Sequence, residues 1–467
     1  MTERIGVLAL ARATFDVPFA EQTAAAMLDV VDGLDVQAVP APRIVFDAGE
    51  AGAEAAALDA AGIDRLLVLQ LTFSDATMID AVADHYAGPL TLWAVPEERT
   101  GGRLRLNSFC GINLAGFALA ARGRRYSYLL AAPGPNAAPR LAAALRPGSE
   151  VAPGSHPVPD PAALEPGAVA RAEEVRAGLA RSTVGVIGTR PDGFEPCDYD
   201  PEALRALTGV SVEAMTLADL FEPARAVPEE RAAAARRRAE GLTGLDDVDQ
   251  EELDRSLRLY PALSDIAAQR GLSALSVRCW PEAFTEYGGA VCGPAGMMND
   301  DRIPTACEAD VYGSVTALAL QRLTGAPVLV ADLVDIDAED DTIVLWHCGK
   351  APLGMADEEA VARATVHSNR RKPLLNEFPL KPGRVTIARL SQARNEHTLV
   401  VGGAEMLRAP LAFSGTAGVA RFDTPAARVA DTIMAEGLEH HYGIGYGDVR
   451  AELHALAAAW GIPVVEL

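Results

Sequence analysis

Short apolar runs alternate with stretches of helical spacing over the first third of the chain. Residues 5–10, 63–73 (IDRLLVLQLTF), 90–95 (LTLWAV) and 126–132 (YSYLLAA) carry the pattern of buried strands, and residues 23–31 carry helical spacing. Strands separated by helices imply a parallel, doubly wound sheet. The Pro/Gly-rich stretch 147–161 then reads as a linker or surface loop. A second unit of the same kind follows. It has a charged, alanine-rich helix from 162 to about 181, a strand ending in a glycine turn at 184–190 (VGVIGTR) and an arginine-rich helix at 228–240. A strand at 275–279 leads into Trp280-Pro281-Glu282, and residues up to 323 are helical after a start at Glu308. Beyond Gly325 the pattern shortens into strands at 328–334, 342–346, 384–390, 397–402 and 418–423, closed by an apolar helix at 449–460 and a last strand at 463–467. The expected fold is α/β, with two doubly wound α/β domains at 1–160 and 161–325 and a β-rich C-terminal domain at 326–467. Glu308 falls in the middle domain, and Asp332 and a histidine pair fall in the last.

Composition narrows the function classes. The chain has 467 residues, 49% of them apolar, with a net charge of −23. That acidity repels phosphate backbones, so no nucleic-acid partner is expected. No run of about 18 apolar residues occurs, so no membrane partner is expected. Met1-Thr2-Glu3-Arg4 has no basic start followed by an apolar stretch, so the expected location is cytoplasmic. Six cysteines, none in a C-x-x-C pair, fit free thiols better than a disulfide framework or a thiolate zinc site. Almost all basic residues are arginine, with lysine only at 350, 372 and 381.

Candidate chemistry concentrates in the second half. Pro304 disfavours helix before it, so 299–310 reads as a loop delivering Glu308 and Asp310 to a helix start, where acidic residues also suit the helix dipole. Asp332 lies inside the apolar run 328–334, where a carboxylate is costly unless paired or bound to a cation. His347 follows a strand, and Glu439-His440-His441-Tyr442 precedes a glycine-rich stretch. Adjacent histidines do not ordinarily face one site, so one is expected to ligate and the other to touch substrate. The alternative is a solvated pair at a helix end. Carboxylates with histidine suit Mn²⁺, Mg²⁺ or Co²⁺. The chemistry that fits is polarisation of a carbonyl with a carboxylate base moving a proton between carbons.

From about residue 180 onward the chain resembles the L-fucose isomerase / L-arabinose isomerase superfamily. The motifs are Val277-Arg278-Cys279-Trp280-Pro281-Glu282, Pro304-Thr305-Ala306-Cys307-Glu308-Ala309-Asp310-Val311-Tyr312-Gly313, Ala331-Asp332, Trp346-His347-Cys348-Gly349 and His440-His441. The resemblance implies a metal-dependent aldose–ketose isomerase working through a cis-enediol, with Glu308 and Asp332 as acid and base. It implies metal ligands Glu308, Asp332 and one of the two histidines, expected to be His441, with His347 matching a further ligand of the arabinose branch. Expected substrate contacts are His440, Trp280, Asn299, Tyr312 and Arg370. The resemblance further implies a small-molecule sugar as partner and a homotrimer or homohexamer in which a neighbour's N-terminal domain lines the site; the expected cofactor, from the ligand types, is Mn²⁺, or else Mg²⁺ or Co²⁺.

Two other readings stand beside this one. The basic run Arg370-Arg371-Lys372 fits either a solvated loop or contact with an anionic sugar such as sulfoquinovose. Two α/β domains also suit a non-catalytic sugar-binding protein. A metal-dependent hydrolase lacks its H-E-x-x-H signature.

Overall fold

The computed structural model describes residues 3–467 and contains three sheets. The first is parallel, in the order β2-β1-β3-β4-β5, from β1 (Arg4–Leu10), β2 (Gln37–Pro40), β3 (Arg65–Gln70), β4 (Leu90–Ala94) and β5 (Tyr126–Leu130). All six residues of β3 are buried, because alternate side chains enter two different cores: Leu66 and Val68 one, Leu67 and Leu69 the other. Helices cover both faces, which is the doubly wound arrangement. The second sheet repeats it with four parallel strands in the order β7-β6-β8-β9: β6 (Thr183–Ile187), β7 (Ser211–Met215), β8 (Ala274–Val277) and β9 (Thr305–Cys307).

The third sheet has nine strands: β10 (Leu329–Asp337), β11 (Thr342–His347), β12 (Arg363–Thr365), β13 (Leu375–Pro379), β14 (Gly383–Ser391), β15 (Thr398–Met406), β16 (Thr416–Phe422), β17 (His441–Tyr446) and β18 (Val464–Glu466). β16 pairs with both β11 and β15, so the circuit β16-β11-β10-β17-β14-β15 closes on itself as a six-stranded barrel and leaves those strands without free edges. No helix is long and apolar enough to cross a membrane among the described residues.

Strands β2, β7, β12 and β13 had no counterpart in the sequence reading, and two segments beside the site also differ from it. Residues 305–307, expected as loop, form edge strand β9, held by β8 alone. The glycine-rich stretch after the histidine pair is β17, a central strand between β10 and β14. Its glycines have a packing reason. The helix Val311–Thr324 lies directly against β17, and a Cβ at Gly443 would come within 2.8 Å of a Leu320 methyl and 3.2 Å of a Thr316 methyl. This contact ties the second sheet, through the helix that follows β9, to the barrel.

Overpacking the contact is therefore costly. Gly443→Val lowers stability by about 1–3 kcal/mol, and Leu320→Ala, which empties a fully buried position, by about 2–5 kcal/mol. The double variant loses less than the two separate losses combined, because the alanine makes room for the valine. Urea midpoints of the four proteins measure the coupling, and strict additivity would contradict this account of the glycine.

Candidate active site

Register brings the first two site residues together. In the antiparallel pairing of β10 with its neighbours, Asp332 stands opposite Trp346 on β11 and His441 on β17. His441 Nε2 is consequently 3.3 Å from Asp332 Oδ1. A slip of one residue would turn either side chain to the other face of the barrel. His347 ends β11 and is buried, with its ring centroid 5.7 Å from that of His441.

Glu308 reaches the same point from the second sheet. It follows β9 directly, and Glu308 and Ala309 both adopt left-handed backbone, with φ of 60° and 56°. Neither is glycine, so the turn stores about 1–2 kcal/mol per residue. The strained turn sets Glu308 Oε2 3.5 Å from His441 Nε2 and 3.0 Å from His440 Nε2. The adjacent histidines thus both reach one carboxylate, contrary to the expectation that neighbours do not face one site. The reason is that His440 precedes β17 and is not bound by its pleat. Nor is the pair solvated: both rings are buried. Glu439 anchors the segment by accepting hydrogen bonds from the Ser391 hydroxyl and the Gln392 backbone N–H, both at 2.7 Å.

Asp310 does more than begin a helix. One carboxylate oxygen accepts the Gly313 N–H at 2.8 Å and caps the helix Val311–Thr324; the other lies 2.8 Å from His441 Nδ1. The Nδ1 proton is thereby held by a carboxylate, which leaves the Nε2 lone pair facing Glu308 and Asp332. Asp310 also forms an ion pair with Arg389 of β14 in which both side chains are essentially unexposed. Arg389 additionally donates to the Pro196 carbonyl at 3.1 Å.

These surroundings drive the carboxyl groups apart. Burial pushes Asp332 up to about 7, with the nearby Glu308 charge adding to the effect. Burial would raise Glu308 too, but its hydrogen bond with His440 and the charge of the histidines bring it below the usual range. Burial opposes a charge on His440, yet the Glu308 partner raises it overall. Burial and the neighbouring His440 lower His441 to about 4, and burial with Lys350 holds His347 well below its ordinary value. His441 and His347 are neutral ligand-type imidazoles near pH 7. Asp310 stays ionised despite burial, because Arg389 and His441 face it.

The donor set fits a divalent cation. Asp332 Oδ1, His347 Nε2 and His441 Nε2 are buried atoms without a hydrogen-bond partner among the described residues, and each of these three residues offers a ligand atom within 4.8 Å of the other two. Octahedral ligands around a small divalent ion lie about 3 Å apart along each edge. The 3.3 Å and 3.5 Å separations of His441 Nε2 from Asp332 and Glu308 are close to such edges. A second grouping adds Cys197 to Glu308, His440 and His441. Burial and the neighbouring carboxylates keep that thiol protonated, so it is a poor ligand.

A cavity opens over Glu308 and Asp332, with Trp280, His347 and Arg370 in its wall. Trp280 Nε1 donates to Glu308 Oε1 at 3.4 Å. Arg12 and Asn107, from the N-terminal segment of the same chain, also line it. His440 and His441 lie outside the lining, beyond the two carboxylates they touch. Asn299 and Tyr312 do not line it either. Asn299 spends its amide on the Lys350 carbonyl (3.1 Å) and the Thr305 N–H (2.7 Å), stitching β9 to the loop after β11. The Tyr312 hydroxyl meets His397 Nε2 at 2.7 Å, with the ring packed in an apolar core. Sequence reasoning gave no role to Arg389 or to Lys350, which is fully buried with no hydrogen-bond partner for its ammonium among the described residues. Arg389 carried the same signal as Asp332, a charge inside an apolar strand. Lys350 stood out only as one of three lysines.

Comparison with known proteins agrees with this geometry. Residues 6–150 match the family described as fucose/sulfoquinovose isomerase, N-terminal domain. The chain is 34% identical over 400 residues to a sulfoquinovose isomerase of Clostridium sp. (strain MSTE9), covering 84% of each chain. It is 31% identical over 407 residues to one of Alkalicoccus urumqiensis, covering 86% of each, and 28% identical over 449 residues to one of Priestia aryabhattai, covering 95% of this chain and 94% of that one. The chain belongs to the fucose/sulfoquinovose isomerase family of sugar isomerases, and it is an aldose–ketose isomerase.

Proposed function

We propose that Glu308 and Asp332 carry a proton between C2 and C1 of an open-chain aldose bearing an anionic substituent, the class to which sulfoquinovose, named for the relatives, belongs. The observation that carries this reading is the convergence of Glu308, Asp332 and His441 from three chain segments onto one point beneath a cavity. Glu308, Asp332, His441 and His347 would hold a divalent cation, Mn²⁺ in this reading, with Mg²⁺ and Co²⁺ as alternatives. When bound, the cation supplies Lewis-acid polarisation of the sugar carbonyl and the neighbouring hydroxyl. Glu308, ionised through its contact with His440, takes the C2 proton and returns it at C1. Asp332, ionised as a ligand, takes the proton of the O2 hydroxyl and delivers it to O1, so that the cis-enediol forms and collapses without net loss of protons. His440 holds Glu308 in position for both transfers. Asp310, fixed by Arg389, keeps His441 in the one tautomer able to ligate. The reading includes a cytoplasmic location and a homotrimer or homohexamer, which the mass of the native protein in solution tests.

Protein stripped with a chelator and reloaded with Mn²⁺ is expected to interconvert aldose and ketose only in the reloaded form. Glu308→Gln lowers kcat by about 10²–10⁴-fold. Full turnover in the stripped protein would end the reading.

Metal affinity also reports the role of Asp332. Its raised pKa means that a proton occupies the carboxylate below pH 7 and competes with the cation. Apparent Mn²⁺ affinity therefore climbs with pH up to about 7 and levels off above it, while His441, at about 4, adds no competition above pH 5. Calorimetric titrations of stripped protein between pH 5.5 and 8 measure this, and a flat profile would remove Asp332 from the ligand set.

Asp310→Asn leaves Arg389 without its counter-charge and weakens the hold on His441 Nδ1. Mn²⁺ affinity is expected to fall about 10–100-fold in a protein that still folds by circular dichroism. Unchanged affinity would mean that Asp310 serves only the helix and the ion pair.

A further inference from the structure

The basic run Arg370-Arg371-Lys372 is divided by the fold. Lys372 is paired with Glu252, Arg371 lies exposed outside the cavity, and Arg370 turns into the cavity wall. There it meets Arg12, which arrives from the end of β1. Both guanidiniums stand over the same indole: Arg12 Cζ is 5.3 Å and Arg370 Cζ 5.6 Å from the Trp280 ring centroid. Arg12 has a carboxylate partner, Asp75, at 2.9 Å. Arg370 has no ion-pair partner among the described residues, and burial and the nearby Arg12 both press against its charge. Two positive charges thus share one carboxylate, in a chain whose net charge is −23.

The other groups at this end do not supply the missing anion. His367, which accepts the backbone N–H groups of Asn369 and Arg370 at Nδ1 and so shapes the turn carrying Arg370, is held at about 4 by burial and is neutral. Arg103, beyond it, adds positive charge. Glu308 and Asp332 also line the cavity, but neither forms an ion pair with Arg12 or Arg370 among the described residues; they face His440 and His441, and Glu308 accepts from Trp280 Nε1 at 3.4 Å. Like-charged guanidiniums facing a cavity cost free energy unless an anion completes the arrangement.

We propose that Arg12 and Arg370 form the specificity clamp of this isomerase: they bind the terminal anion of the sugar, a monoanionic sulfonate, while Trp280 packs along the carbon chain between clamp and carboxylates. This rests on the isomerase reading above and adds the position and charge of the far end of the substrate. One cavity holds both ends of such a substrate, since Arg12, Arg370, Trp280, Glu308 and Asp332 all line it. The count of charges favours a monoanion, because Asp75 already neutralises one of the two arginines. Guanidinium donors match sulfonate oxygens in a forked geometry.

The test is equilibrium binding to the Mn²⁺-loaded protein, measured by calorimetry with three non-reactive open-chain probes: a 6-deoxy-6-sulfohexitol, the 6-deoxyhexitol without the sulfonate, and the hexitol 6-phosphate. The wild-type protein is expected to bind the sulfonated probe at least tenfold more tightly than the uncharged one and more tightly than the phosphate. That preference shrinks as salt rises from 0.05 to 0.5 M. Arg370→Met and Arg12→Met each abolish the preference while leaving affinity for the uncharged probe within a few-fold. Arg371→Met, outside the cavity, retains it, and thermal unfolding verifies that all three variants fold. No preference in the wild type, or a preference that survives both cavity variants, overturns the clamp. Tighter binding of the phosphate overturns the monoanion assignment. Turnover of the sulfonated aldose is measured separately, so that a protein which binds as expected but does not isomerise contradicts the reaction and not the clamp.

Discussion

A single buried carboxylate holds the site in register with the fold. Asp310 caps the helix Val311–Thr324, pairs with Arg389 on β14 and holds the Nδ1 of His441 on β17. One helix and two strands of the barrel therefore meet on two oxygens. An ionised group at zero exposure is tolerated only when every lone pair is matched, and here each partner is a donor fixed by secondary structure. The arrangement stabilises the protein and, through the same bonds, decides which nitrogen of His441 is available. Structure and chemistry cannot be altered separately at this position.

The strained turn at Glu308 and Ala309 belongs to the same construction. A glycine at either position would relax the backbone, but at 308 it would delete the carboxylate. The cost of left-handed backbone is offset by the packing of the following helix on the glycines of β17. Asp332 and His441 need no such strain, because cross-strand pairing in the barrel delivers them. One carboxylate on a strained turn and one in a rigid ladder meet different surroundings. Glu308 lies against two histidines, and Asp332 is governed mainly by burial. That difference is what separates their proton affinities.

Charge is distributed with equal economy. The chain is strongly acidic, yet the cavity wall carries two arginines over one indole, and only one of them, Arg12, has an ion-pair partner among the described residues. Low-dielectric walls focus such a local field and raise the concentration of an anionic sugar at the opening. The fold achieves this by drawing Arg12 from the first parallel sheet and Arg370 from the loop before β13, positions 358 residues apart in sequence.

The sequence by itself determined the parallel sheets, because continuous apolar runs spaced by helices have few other solutions, and it marked Asp332, because a charge within an apolar strand must have a purpose. The motif around Glu308 and the histidine pair was legible as a family resemblance and nothing more local. What only the tertiary structure decided were the relations across long sequence separations. The register that sets Asp332 against His441, the closure of the barrel through β16, and the capture of His441 by Asp310 and Arg389 depend on strand pairings that no local period encodes. The same holds for the residues displaced from the expected set. Asn299 and Tyr312 sit close in sequence to Glu308, but helix direction and nearby donors turn them into the interior. Arg12, which sequence left without an assigned role, reaches the cavity because a parallel sheet gathers its strand ends on one edge, and the loops that follow them share one space.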